Sequence, residues 1–151
     1  MNPSLLLKIG AVILFLYSTG HTFGAVVFYR AHTPEEAAII ESMKAYHVPL
    51  KVSSARTLWD FFYGFGLAVG ILNYALAAIA WIAARQVGQA NSLIAPLCLI
   101  LAAACVSQTV LSWRYFFLMP LVLSLAAGLV FVATYFYLAA AAGNPAHVPG
   151  T

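Results

Sequence analysis

Residues 5–28, 56–84, 93–113 and 119–142 are four long apolar runs separated by short polar stretches. A helix rising 1.5 Å per residue needs roughly 20 residues to cross a ~30 Å hydrocarbon core. Each run is long enough. No other feature constrains the fold so tightly. In lipid every backbone N–H and C=O must be satisfied within the protein, so each run is expected to be a helix. Charge agrees with that expectation. Charged residues make up 7% of the chain and hydrophobic residues 64%, whereas a soluble domain is roughly 25% charged. The mean hydropathy of +0.93 points the same way. Four spans joined by short turns predict an all-α integral membrane protein, an antiparallel four-helix bundle. It would form a single domain over 1–142, followed by a loose tail over 143–151.

The same composition narrows the classes of function. The net charge of +3 is spread along the chain with no basic patch, so nucleic acid is not an expected partner. Cys98 and Cys105 are two helical turns apart on one span, ~10 Å along the axis, and cannot bridge each other. No P-loop, dinucleotide fingerprint, nucleophile elbow, HExxH or CxxC occurs, and no cofactor is expected. His32 and His47 match no metal-ligand spacing, and no metal is expected either. The first run carries Lys8 and has no A-x-A site behind it, which favours a retained helix over a cleaved leader.

Polar residues within the runs are few. His21 lies between Gly20 and Gly24, a small-xxx-small pair that permits close helix approach. Gly66 and Gly70 repeat that spacing in the second run, with Asn73 one turn further. Asp60 is the only acid inside a run. Arg56 stands four residues earlier, where helical geometry would let the two pair. In the third run Cys98, Ala102, Cys105, Gln108 and Ser112 form one stripe, and in the fourth Ser124, Gly128, Phe131 and Tyr135 share a face. Trp113, Arg114 and Tyr115 form an interfacial belt. Between the first two runs, Thr33-Pro34-Glu35-Glu36 reads as an N-cap and capping box. It opens an amphipathic helix over 34–46 that places Ile39, Ile40, Met43 and Tyr46 on one side. Val48-Pro49 ends the segment, and Ser53 or Ser54 is expected to cap the second span.

Alternating topology brings the end of span one, the start of span two, the end of span three and the start of span four to one membrane face. The candidate ligand-binding residues His21, Arg56, Asp60, Tyr63, Gln108, Trp113, Arg114 and Tyr115 all belong to that half, beneath segment 34–46. Asp60 and His21 are the candidates for acid–base chemistry. Each also has a structural reading: Asp60 as one half of an ion pair that sets helix register, His21 as an imidazole hydrogen-bonded across helices. Lysine and arginine are nearly balanced between the two faces, with a small surplus favouring the cytoplasm for the polar-cluster side.

The segments Gly20-His21-x-x-Gly24, Thr33-Pro34-Glu35-Glu36, Arg56-Thr57-x-Trp59-Asp60-Phe61-x-x-Gly64-Phe65-Gly66 and Leu111-Ser112-Trp113-Arg114-Tyr115-Phe116-Phe117 together resemble an uncharacterised family of small bacterial four-span membrane proteins. The resemblance implies the bundle and the bacterial cytoplasmic membrane, and brings no known activity. The chain is also similar in plan to the EXPERA group, which includes the emopamil-binding sterol isomerase and the sigma-2 receptor. A looser similarity links Arg56, Arg114 and Tyr115 to the MAPEG glutathione transferases. The expected function is binding of a lipid-like or apolar small molecule in a pocket near Asp60, with membrane lipids around it. The alternatives are an accessory protein that pairs with a second copy or another membrane protein through its glycine faces, and a membrane isomerase or transferase.

Overall fold

The computed structural model describes residues 2–27, 29–49 and 55–142. Helix α1 spans Pro3–Thr19 and runs on into a π-helical segment, Gly20–Val27. Helix α2 spans Pro34–Ala45. Two short strands follow, β1 at His47–Val48 and β2 at Arg56–Thr57. Helices α3 (Leu58–Arg85), α4 (Asn91–Tyr115) and α5 (Leu118–Ala142) complete the order. Four helical stretches are long and apolar enough to cross a membrane: Pro3–Gly24, Leu58–Arg85, Asn91–Tyr115 and Leu118–Ala141. The chain divides into two compact units, one of Met1–Tyr17 with Asn73–Thr151 and one of Ser18–Leu72.

In the first unit, α1, the second half of α3, α4 and α5 share one core. Leu7, Leu14, Leu101 and Phe131 are its large members, and alanines fill the gaps at 11, 77, 80, 83, 84, 102 and 127. The small side chains let helix axes approach, which drives packing in lipid, where no hydrophobic effect separates helices from solvent. Gly10 shows how close the approach is: a Cβ there would meet Cε1 of Phe131 at 2.6 Å. The expected stripes hold. Cys98, Ala102, Cys105 and Ser112 are buried and Gln108 half-buried; Ser124, Gly128 and Phe131 are buried and Tyr135 half-buried. Cys105 lies against Gly128, and Thr109 Oγ1 donates to Ser124 Oγ at 2.9 Å. Residue number therefore rises along α4 as it falls along α5. Outward faces are apolar too. Ile100 is 64% exposed and Leu129 61%, so these helices present large apolar surfaces outward.

In the second unit, α2 begins as expected. The Glu36 N–H donates to Thr33 Oγ1 at 3.2 Å, with Pro34 in the first turn. The Glu36 carboxylate reaches back to the His32 N–H at 2.6 Å, one residue beyond the usual box partner. Glu35's own backbone N–H, and then the Thr33 hydroxyl, hold its carboxyl below the usual carboxylate range. No residue of α2 is fully buried; Ile40 and Met43 are half-buried while Ile39 and Tyr46 lie open. The strands were not foreseen. His47 pairs with Thr57 and Val48 with Arg56, antiparallel, and the Leu58 N–H donates to the Tyr46 carbonyl at 3.0 Å. These bonds tie the end of α2 to the start of α3. The expected caps Ser53 and Ser54 lie outside the described residues, as does the tail over 143–151.

The π-helical segment was not foreseen either. Its wider turn closes i→i+5 bonds and keeps Ser18, Thr22 and Val26, four residues apart, toward α3. Ser18 Oγ donates to the Gly70 carbonyl at 2.6 Å. A Cβ on Gly70 would collide with Thr22 Oγ1, and one on Gly66 would stand 2.7 Å from Val26 Cγ2. Gly66 and Gly70 are thus a packing surface for the chain's own π segment. Gly20 and Gly24 have nothing within 4 Å of a Cβ position.

Candidate functional site

Arg56 and Asp60 do not form the expected pair. Pairing four residues apart needs both residues on one helix, and α3 begins only at Leu58. Arg56 is extended, held in β2 opposite Val48. Asp60 has a different partner. Its Oδ2 accepts the Thr57 N–H at 2.8 Å, and its own N–H donates to Thr57 Oγ1 at 3.1 Å. This is a reciprocal capping box with Thr57 at the N-cap and the acid three residues on. The carboxylate also sits where the positive end of the helix dipole favours it. Asp60 is exposed rather than buried. Among the described residues the only ion pair is Lys44–Glu41, at 2.8 Å within α2.

Around that cap the second unit gathers aromatic and basic groups. Lys44 Nζ lies 5.8 Å from the centroid of the Trp59 ring, joining α2 to the first turn of α3. Trp59 stacks on Phe62 at 5.4 Å, and Phe61 meets Phe65 at 6.2 Å. Tyr63 is half-buried and Arg56 exposed. Ala38, Ile39, Ser42, Met43, Tyr46 and Leu58 line an open, shallow apolar groove between α2 and the start of α3. His21 is held further along. Its Nε2 lies 3.0 Å from the Gly66 carbonyl, which requires the proton on Nε2. Gly66 is six residues beyond Asp60, ~9 Å along the axis. The imidazole therefore serves as a hydrogen bond between helices, while the carboxylate is engaged by Thr57.

The remaining candidates belong to the first unit. Gln108 Nε2 donates to Asn73 Oδ1 at 3.0 Å, a bond between α4 and α3, while Gln108 Oε1 is buried without a partner. Trp113 is 80% exposed and Tyr115 69%. The Arg114 guanidinium lies 5.2 Å from the Tyr115 ring. All three stand on the exposed last turn of α4. Ser18, Thr22 and Thr109 were not singled out by sequence reasoning. Their signal was spacing: Thr22 falls between Ser18 and Val26 at steps of four. Among the described residues no three His, Cys, Asp or Glu side chains come together as a metal cage would need. Compared with known proteins, the chain matches no family model, no curated protein and no solved structure.

Proposed function

We propose that the chain is a four-span integral membrane protein, an antiparallel bundle of the bacterial cytoplasmic membrane. In this reading it takes up a lipid-like or apolar small molecule at the face carrying α2. The observation that supports this most is the apolar groove over Ile39, Met43, Tyr46 and Leu58, left open beside the interfacial ring of Trp59. An amphipathic helix with no buried residue gains little by lying on its own protein. It gains more by covering an apolar ligand or the headgroup boundary. In this arrangement α2 is the lid. Met43, Tyr46 and Leu58 hold the apolar body, and Arg56 supplies a charge for a polar head. Asp60 keeps the first turn of α3 in place beneath them. Native mass spectrometry of the purified protein, wild type beside Ile39→Glu and Met43→Glu, tests the idea. A discrete bound mass lost in both variants supports it; identical bulk lipid on all three sinks it.

A second reading rests on Gly20 and Gly24, whose small-xxx-small face is unfilled among the described residues. It would admit a helix of another membrane protein or a second copy. Gly24→Leu would then abolish co-migration of the partner while leaving the ligand mass unchanged.

A further inference from the structure

The first unit carries an apolar groove that the proposed α2 site does not use. Ala11, Val12 and Phe15 of α1 line one side, and Tyr74, Ala77, Ala78, Trp81 and Ile82 of α3 line the other. The buried Ala11 and Ala77 form its floor. The Phe15 and Tyr74 rings, 5.4 Å apart and tilted, close one end. The other end is basic. Lys8 precedes Val12 by one turn and Phe15 by two, so it stands on the same stripe of α1. Arg85 follows Trp81 by one turn and Ala78 by two on α3. Both cations are exposed. Ser4 Oγ donates to the Ala84 carbonyl at 2.7 Å, which holds these two helix ends together.

The described residues of this unit include no acidic side chain. All four acidic side chains of the protein, Glu35, Glu36, Glu41 and Asp60, lie in the other unit. Neither Lys8 nor Arg85 forms an ion pair among the described residues. Long basic side chains near helix ends reach for the headgroup level. From Lys8 to Phe15 is ~10 Å, and from Arg85 to Tyr74 is ~16 Å. That is about the depth of one leaflet, half of a ~30 Å core. The geometry points to a binding site for an anionic glycerophospholipid. Its phosphate sits between Lys8 and Arg85, and one acyl chain lies along the alanine floor as far as the Phe15–Tyr74 pair. Two fixed cations over a groove of leaflet depth select charge at the head while accepting any saturated chain below.

The test uses the full chain in nanodiscs of equal phosphatidylglycerol and phosphatidylcholine, followed by native mass spectrometry of the released protein. Wild type retains phosphatidylglycerol preferentially. Lys8→Gln/Arg85→Gln, with both changes at exposed positions, lowers that preference by about tenfold. Ala78→Phe fills the groove while keeping both cations, and reduces the number of lipids retained. Arg30→Gln, a cation removed elsewhere, leaves the preference as it was. Equal retention of the two lipids by wild type would overturn the proposal, and so would an undiminished preference in the double variant. Both arms are independent of the α2 groove, so failure here leaves the ligand proposed there untouched.

Discussion

Alanine at Gly70 is the sharpest test of how the two helix ends of the second unit fit together. The added methyl would run into Thr22 Oγ1, and Gly70 is itself buried. Thr22 cannot easily turn away, because β-branched side chains are stiff at χ1. The π segment cannot easily lift, because Ser18 and His21 bond the carbonyls of Gly70 and Gly66 at 2.6 and 3.0 Å. Overpacking of this kind costs about 1–3 kcal/mol. Stretching the Ser18 bond adds about 1 kcal/mol. Replacing a helical glycine by alanine returns about 1 kcal/mol. The net expectation for Gly70→Ala is a loss of about 1–3 kcal/mol. Gly24→Ala meets open space and should lose nothing. Reversible unfolding in mixed detergent micelles would measure both. Thr22→Ala removes the colliding oxygen, which has no hydrogen-bond partner, so alone it should change little. Combined with Gly70→Ala it should recover about half or more of the loss. If Gly24→Ala proves as costly as Gly70→Ala, or if Thr22→Ala gives no rescue, the close-approach argument is wrong.

Four further outcomes are expected. Thr57→Ala should cost about 1 kcal/mol and speed hydrogen exchange in the first turn of α3. Asp60→Asn, which keeps an acceptor oxygen, should cost less than Asp60→Ala, whereas a catalytic acid would lose activity in both. Asn73→Leu should destabilise by about 0.6–1.7 kcal/mol, the range for hydrogen bonds between membrane helices. Adding Gln108→Leu to it should cost little more, since the orphaned amide is then removed as well; additive losses would show that the two side chains are not coupled. Glu35 should make α2 sensitive to pH. Its carboxyl is held below the ordinary value of 4.5, so its contribution is complete above that value and disappears as pH falls through the lowered one. Amide protection in α2 that rises on acidification would contradict this.

The four long apolar helices were legible because run length alone decides them, and they fall within a few residues of the expected limits. The Cys98–Ser112 stripe was legible from periodicity. The two glycine pairs were indistinguishable in sequence. Which one is filled depends on where the π segment brings Thr22 and Val26, and no local signal encodes that. The strands were invisible because two residues each are too few for alternation. Asp60 is the instructive case. A lone acid in an apolar chain suggests function because burying a carboxylate is costly. That inference presumes that the helix already exists around it. With α3 starting at Leu58, the same residue becomes the third of its first turn, where the Thr57 N–H and the helix dipole offset the cost. The pattern Thr57-x-x-Asp60 stated this in the sequence, but the pairing with Arg56 presumed a helix that began two residues too early. In a chain with so few charges, the helix boundary must therefore be fixed before rarity can count as evidence. On that test the rarity of Asp60 no longer argues for function, while Lys8 and Arg85, which the span assignment treated only as end markers, form no ion pair among the described residues and are the basis of the proposed phosphate site.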